Sequence, residues 1–281
     1  MTEITLNRRQ WLTGIGAAGL VAACGSSGSS TSRPARAAGV QLYTLRTSMA
    51  DDVEKTLEAV AGIGFREVEF AGYFGHSAAS IRELLSRYEL ASPSAHVSGQ
   101  DVRENAAALV DTAAAIGHRY VTIAWMPEPM RQTTADWQRW AEDANRLGEL
   151  CRQSGMRAAY HNHEFEFEAI DGVVPFDVLM NETDPDLVDF ELDFFWVQKA
   201  GEDIRAVLSR APERFTMAHI KDMDADGNMV DAGAGTIDFA GILADPVAAS
   251  IRHPFIEHDA PDEPFRTVAI GHRVLKAALE T

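Results

Sequence analysis

Short apolar segments alternate along the chain with longer segments in which apolar residues recur every three or four positions. The short segments are rich in β-branched and aromatic residues, as in Tyr120–Trp125, and predict buried strands. The longer segments have the period of amphipathic helices, and several end at a glycine such as Gly117. The predicted strands are residues 39–45, 67–70, 92–97, 120–125, 157–163, 187–193, 215–220 and 254–258.

Regular alternation of strands and helices is typical of a parallel sheet whose strands are joined by helices. Eight alternations in about 240 residues match the size of one (β/α)8 barrel. A doubly wound open sheet is the alternative, but the first strand runs into its helix as GVQLYTLR, without a glycine-rich phosphate-binding pattern. The sequence therefore predicts an α/β fold, a single TIM barrel over residues 39–281. The clearest predicted helices are residues 51–61, 101–116 and 134–154.

The N-terminal segment has the layout of an export signal rather than of a folded element. Arg8 and Arg9 precede an uncharged stretch over residues 11–23, which is too short to span a membrane. The arginine pair resembles a twin-arginine signal, and the residues before Cys24 resemble a lipoprotein cleavage site. We expect a signal peptide at residues 1–23 and a Gly/Ser-rich tether at 24–38. A plain Ala-x-Ala cleavage elsewhere is the alternative.

This leader predicts a periplasmic or cell-surface lipoprotein that contacts the membrane only through a lipid on Cys24. The formal net charge of −17 disfavours nucleic acid and anionic surfaces as partners. The chain has two cysteines, Cys24 and Cys151, so a disulfide framework is excluded. The sequence does not predict the oligomeric state.

Polar side chains follow four successive predicted strands at the point where each strand ends. They are His161, Asp193, His219 and Glu257. Because the carboxyl ends of the strands of a TIM barrel share one rim, we expect these side chains to lie together. Two imidazoles and two carboxylates form a ligand set for one divalent ion such as Mn²⁺, Zn²⁺, Co²⁺ or Mg²⁺.

A single histidine or acid at a strand end is more often a hydrogen-bonded structural residue than a ligand. Four of them crowded together without a cation would be costly in desolvation and repulsion, which favours the metal interpretation. His76 and His96 lie near the ends of strands two and three, where substrate binding and simple exposure to solvent are both open.

At these strand ends the chain resembles the xylose-isomerase-like TIM barrels, a superfamily of sugar isomerases and epimerases that includes inosose dehydratases and endonuclease-IV-type enzymes. The segments LDFFW, HIKD and IEHD carry the resemblance, with Asp193, His219 and Glu257 at the metal-ligand positions. Strand five departs from the family, because His161 stands where relatives have a glutamate. Glu164 is the alternative carboxylate, although strand alternation points it away from the face of His161. A second departure is Gly233-Ala234-Gly235, where relatives often carry Gly-Glu-Gly.

The resemblance implies a metal-dependent enzyme that removes a proton alpha to a carbonyl of a sugar. We expect Glu257 and His163 to serve as bases, and Lys221 to bind a substrate oxygen or act as an acid, with a simple salt bridge as its alternative role. The exported location favours a non-phosphorylated sugar. Aromatic side chains near the rim, either packing on a sugar ring or filling the core, are Tyr43, Trp125 and Trp196.

Three alternatives to an isomerase or epimerase stay open. Loss of the strand-five glutamate makes one-base chemistry plausible, as in a lyase or hydratase of keto-sugars or 3-keto-glycosides. A non-catalytic sugar-binding lipoprotein would need aromatic side chains but no metal. An endonuclease-IV-like nuclease would need further metal ligands and a basic groove, which this acidic chain does not indicate.

Overall fold

The computed structural model describes residues 36–281, and they fold as a closed barrel of eight parallel strands. The predicted signal peptide, Cys24 and most of the predicted tether lie outside the described residues. Each strand pairs in parallel with the next, and the eighth pairs with the first. The barrel strands, one to eight, are Gly39–Gln41, Glu67–Phe70, Ala91–Ser98, Tyr120–Trp125, Arg157–His161, Val188–Asp193, Phe215–Ile220 and His253–Ile256. The predicted TIM barrel is confirmed.

Helices surround the barrel and bury their apolar faces against it. The α-helices are Arg46–Asp51, Val53–Ile63, Ala78–Arg87, Gly99–Ile116, Thr134–Gln153, Pro175–Glu182, Phe194–Lys199, Ile204–Ser209, Phe239–Ala244 and Pro264–Leu279. Five short 3-10 helices are Leu42–Leu45, Glu128–Met130, Phe165–Phe167, Pro212–Arg214 and Pro246–Ala248. Among the described residues, no helix is long and apolar enough to cross a membrane.

Several predicted boundaries move, and local hydrogen bonds explain the first helix prediction and the end of strand one. The second helix was expected over residues 51–61, but Asp52 caps it by accepting from the N–H of Lys55 at 3.0 Å. It ends at Gly64, whose φ of 118° glycine adopts without steric cost. The first strand ends early because the side chain of Gln41 accepts from the N–H of Tyr43 at 2.9 Å and starts a 3-10 helix.

The barrel interior is layered from apolar to polar. Ala159, Met217 and Phe255 form a small apolar cluster that is separate from the main core. Side chains alternate along a strand, so residues two positions further on face the same side. Beyond Met217 on strand seven, the next residues on that face are His219 and Lys221. The polar layers therefore lie toward the carboxyl ends of the strands.

A two-stranded antiparallel hairpin, Asp222–Met223 with Met229–Val230, follows strand seven. The carboxylate of Asp222 holds the segment behind it, because it accepts from the N–H groups of Gly233, Gly235 and Ile237 at 2.8 to 3.1 Å. A Cβ at Gly235 would come within 2.3 Å of Oδ1 of Asp222. The glycine is therefore required by close approach of this carboxylate.

Candidate active site and metal centre

The four residues predicted as metal ligands converge at the carboxyl end of the barrel. One ligand atom from each of His161, Asp193, His219 and Glu257 lies within 4.8 Å of every other. We call this group the rim cluster. All four side chains are buried. His219 Nδ1 lies 2.6 Å from Oε2 of Glu257 and 3.7 Å from Oδ2 of Asp193, and His161 Nε2 lies 4.0 Å from the same Asp193 oxygen.

The orientation of these atoms fits a cation. Oδ1 of Asp193 caps the helix Phe194–Lys199 by accepting from the N–H of Trp196 at 3.0 Å, which leaves Oδ2 facing the rim cluster. Asp193 Oδ2, His219 Nδ1 and Glu257 Oε2 are buried and converge, and their polar contacts are with one another and with Lys221. Buried carboxylate and imidazole atoms that converge in this way are expected of ligands that share an ion.

Lys221 supplies a positive charge at the edge of the rim cluster. Its Nζ atom lies 3.1 Å from Asp193 Oδ2, 2.7 Å from Glu257 Oε2 and 2.8 Å from Asp259 Oδ1. Burial disfavours the ammonium, but these carboxylates outweigh it and raise the pKa of Lys221 well above its usual value. The geometry therefore supports the salt-bridge role of Lys221. The side chain also lines a cavity that opens above the rim cluster.

The imidazole of His161 is held neutral. Burial, followed by the charge of His219, lowers the pKa of His161 well below its usual value. A neutral imidazole keeps a nitrogen lone pair and can therefore bind a metal. Glu164, the alternative strand-five ligand, lines the cavity but is not part of the rim cluster. The geometry thus favours His161 over Glu164.

A cavity of about 680 Å³ opens above the rim cluster. The predicted catalytic residues His163, Lys221 and Glu257 all line it. The wall also includes the three aromatic residues expected at the rim, Tyr43, Trp125 and Trp196. Further lining residues are aromatic or charged, namely Phe165, Arg131, Glu164 and Asp259. Tyr43 and Trp125 are 42% and 49% exposed, so they do not fill the core.

His163 stands among aromatic rings on the cavity wall. It stacks on Phe165 with ring centroids 5.3 Å apart, and its centroid lies 5.4 Å from that of Trp125 and 5.6 Å from that of Trp196. Burial, and then the charge of Lys221, lowers the pKa of His163 to about 3. Its Nδ1 atom is buried and makes no hydrogen bond. The ring is therefore uncharged and has a free polar atom for a ligand.

A second polar layer, which sequence analysis missed, lies below the rim cluster. Glu69, His96 and Glu191 come from strands two, three and six, and they meet His219 from strand seven. We call these four residues the floor cluster. Both glutamates are 0% exposed. A sequence signal existed for Glu191, since it lies two residues before Asp193 and so on the same face of the strand.

The two histidines whose roles were left open have different environments. His96 does not simply face solvent, because its Nε2 lies 2.7 Å from Oε2 of Glu191 and 3.2 Å from Oε2 of Glu69. Burial opposes its protonation, but the two glutamates raise the pKa of His96 to about 9. His76 is exposed and hydrogen-bonds to Ser80 at 3.2 Å.

Another buried acid lies behind strand five. Glu166 is 0% exposed and accepts from Tyr160 Oη at 2.6 Å and from the N–H of His163 at 2.7 Å. Burial raises the pKa of Glu166 to about 8, although both hydrogen bonds act against this. The contact with the backbone of His163 fixes the turn that brings this ring to the cavity.

The sequence of residues 33–262 matches the protein family described as Xylose isomerase-like TIM barrel. The chain belongs to this family. The fold, the order of the strands and the position of the rim cluster at the strand ends agree with that membership, which the strand-end motifs already indicated.

Three known proteins illustrate the similarity. Inosose dehydratase from Lacticaseibacillus casei is 33% identical over 91 residues, which cover 32% of this chain and 30% of that relative. The match thus spans about a third of that relative's length. A sugar phosphate isomerase/epimerase from Parabacteroides distasonis superposes with a TM-score of 0.75 at 22% identity, covering 89% of this chain and 96% of that chain. The IolI protein, solved with a zinc atom, has a TM-score of 0.67 at 13% identity, covering 86% and 96%.

Proposed function

We propose that the protein is a metal-dependent sugar isomerase or epimerase that removes a proton alpha to a carbonyl of a non-phosphorylated sugar. The observation that carries this proposal is the convergence of the rim cluster, His161, Asp193, His219 and Glu257, at the base of a cavity that is also lined by His163 and Lys221. The similar barrel of the IolI protein was solved with a zinc atom, which is consistent with a divalent ion here. Such an ion supplies positive charge that favours loss of a proton beside a carbonyl.

The charges of this region support a cation. Glu69, Glu191, Asp193 and Glu257 are four buried carboxylates in the rim and floor clusters. In the described part of the chain, Lys221 is the one side chain with a permanent positive charge in ion-pair contact with any of them. Buried carboxylates without compensating charge cost several kcal/mol each, so the donor set fits a divalent ion.

His163 has the position and the charge state of a proton acceptor. It is uncharged, lines the cavity, and has a buried Nδ1 atom without a hydrogen bond. Glu257, which follows strand eight, is the second base candidate. Burial works against its ionisation, but Lys221 and His219 lower the pKa of Glu257, so it stays a carboxylate. Two such groups can exchange a proton on a substrate between them.

Lys221 would stabilise negative charge that develops on a substrate oxygen. Its ammonium lies between three carboxylates at the cavity base, where a fixed positive charge needs no rearrangement during the reaction. The ring of Trp196 lies beside it, with Nζ 5.6 Å from the ring centroid. Indole and ammonium thus offer an apolar face and a charge side by side, which suits the two faces of a sugar.

The cavity favours a neutral ligand. Its lining contains two cations with permanent charge, Arg131 and Lys221, and Lys221 is engaged by carboxylates. The guanidinium of Arg131 lies 3.6 Å from the ring centroid of Phe165. Because a phosphate group needs several free donors, a non-phosphorylated sugar fits better. The same shortage of cations argues against a nucleic-acid substrate.

A lyase or hydratase is the second candidate, and two observations favour it. His161 stands where the family resemblance implies a glutamate in strand five, which leaves one acid fewer in the reacting region. The matching Lacticaseibacillus casei relative is an inosose dehydratase. Elimination of water next to a carbonyl needs one base and one acid, and His163 and Lys221 provide that pair.

The test is a screen of free sugars, inososes and 3-keto-glycosides with and without Mn²⁺ or Co²⁺, with deuterium exchange from solvent as readout. We expect exchange at the carbon beside the carbonyl only with the metal. Glu257→Gln should reduce the rate by roughly 10³-fold or more. Glu263→Gln, an exposed acid paired with Arg266, is the matched control and should leave it unchanged. Exchange that survives chelation would contradict the proposal, and ligand binding without exchange would indicate a sugar-binding protein.

A further inference from the structure

We infer that the floor cluster, Glu69, His96, Glu191 and His219, is a second divalent-cation site, which shares His219 with the rim cluster. The inference does not depend on the proposed reaction, because the floor residues come from strands two, three, six and seven, and only His96 of the four lines the cavity. Two imidazoles and two carboxylates are a complete four-ligand set for a first-row divalent metal.

The donor atoms of the floor cluster form a closed ring of contacts. His96 Nε2 lies 2.7 Å from Glu191 Oε2 and 3.2 Å from Glu69 Oε2. His219 Nε2 lies 2.8 Å from Glu69 Oε2 and 3.3 Å from Glu191 Oε2. Two ligands bound at about 2.0 to 2.2 Å to one ion lie roughly 3 to 4.4 Å apart, so small shifts of these side chains would enclose an ion.

Each glutamate directs a single oxygen at both imidazoles. Oε1 of Glu69 and Oε1 of Glu191 are buried and make no hydrogen bond, while Oε2 of each acid contacts both rings. The hydrogen bonds of His96 with Glu191 and of His219 with Glu69 also use only these Oε2 atoms. Monodentate binding to a common ion explains why one oxygen of each acid is used.

His161 supplies an independent indication. Its Nδ1 atom is buried, makes no hydrogen bond, and lies 3.8 Å from Glu191 Oε2. That distance is too long for a hydrogen bond but fits two donors around one ion. Ligand atoms of His96, His161, Glu191 and His219 all lie within 4.8 Å of one another. Nδ1 of His161, at the end of strand five, therefore faces the floor cluster without a hydrogen-bond partner.

The charges around the floor cluster also favour a bound cation. The contacts of the two buried glutamates, within residues 36–281, are the imidazoles and the side-chain amide of Gln41, whose Nε2 donates to Glu69 Oε2 at 2.7 Å. No lysine or arginine of that part of the chain forms an ion pair with either acid. A divalent ion would neutralise both carboxylates without requiring two protonated imidazoles side by side.

His219 lies between the two sites and can serve either. Its Nε2 faces the floor and its Nδ1 faces Glu257 at 2.6 Å. When Nε2 binds the floor ion, the single ring proton is on Nδ1, and the rim ion keeps His161, Asp193 and Glu257. A closed four-ligand floor site is the structural type of metal site, and a rim site with three ligands is the open, catalytic type.

The experiment is a measurement of bound metal on the full chain, after chelation, reconstitution with Zn²⁺ and gel filtration. We expect two ions per wild-type chain, one in Glu191→Gln, one in Glu257→Gln, and none in the double variant. Glu166→Gln changes a buried acid outside both clusters and should keep two. Should one glutamine variant not fold, a wild-type count of two supports the floor site, a count of zero overturns it, and a count of one is assigned by the other variant.

The outcomes separate this inference from the proposed function. One ion in the wild type that is kept in Glu191→Gln and lost in Glu257→Gln overturns the floor site and leaves the rim proposal standing. One ion that is lost in Glu191→Gln and kept in Glu257→Gln supports the floor site and contradicts the rim metal. No ion in reconstituted wild type overturns both.

Discussion

The ammonium of Lys221 lies 2.7 Å from Oε2 of Glu257, the same oxygen that lies 2.6 Å from Nδ1 of His219. One carboxylate oxygen therefore faces both a fixed cation and a candidate metal ligand. Lys221 and a divalent ion would compete for the negative charge of Glu257. Both would also stabilise negative charge on a substrate oxygen. This relationship makes the roles of lysine and metal separable by experiment.

Lys221→Gln should bind Mn²⁺ more tightly and turn over more slowly. Loss of the ammonium removes repulsion of the ion, whereas loss of its charge near the substrate should lower kcat by roughly 10²-fold. Mn²⁺ titration and steady-state kinetics measure the two effects. Lys276→Gln, at an exposed position of the helix Pro264–Leu279, is the control. Weaker Mn²⁺ binding in Lys221→Gln would contradict competition for Glu257.

His163→Ala should distinguish epimerisation from elimination of water. We expect a rate loss of roughly 10² to 10⁴-fold, because the neutral ring on the cavity wall is removed. Loss of epimer formation with retained deuterium exchange indicates two bases, with His163 as the second. Loss of an elimination product, with no epimer formed by wild type, indicates the one-base lyase. Unchanged product formation would exclude His163 from the reaction.

The stability of the protein should fall as pH rises, in part through Glu166. Burial raises the pKa of Glu166 to about 8, whereas an unfolded glutamate titrates near about 4.3. Between these values the folded chain holds a proton that the unfolded chain has lost, so the free energy of unfolding decreases with pH by at most about 1.4 kcal/mol per unit. Glu166→Gln stays neutral and should lose less stability.

Thermal unfolding at about pH 5.5 and about pH 8.5 measures this difference. The control is Glu168→Gln, an exposed acid two residues along the chain, which should behave as wild type. If the Tm of Glu166→Gln and the Tm of wild type fall by the same amount between the two pH values, Glu166 is ionised in the folded protein at both.

We propose that Cys24 becomes the lipidated first residue of the mature protein. Cys24→Ser should release the protein from membranes or block its processing, since a thiol is required for lipid attachment. Membrane fractionation and the mass of the mature chain give the readout. An unchanged membrane fraction together with an unchanged mature mass would remove the lipoprotein interpretation.

The barrel and its rim cluster could be predicted from local pattern. Strands over residues 67–70, 120–125 and 215–220 have the predicted bounds, because β-branched and aromatic runs there are bounded by turn residues. The carboxyl ends of parallel strands in a barrel meet by geometry, so polar residues at four consecutive ends had to converge. The ends of strands one, five and eight were placed too late. At strands one and five, Gln41 and Glu166 turn the chain through side-chain hydrogen bonds.

The floor cluster and the roles of individual atoms depend on the tertiary structure. Glu69 and His219 are 150 residues apart, yet the closed barrel brings Oε2 and Nε2 to 2.8 Å. No local pattern indicates which buried acid faces which imidazole across a barrel, because that depends on register and closure of all eight strands. The sequence by itself determined the fold and the side chains at the rim. Only the packed barrel decided their charge states, through burial and through partners from distant strands.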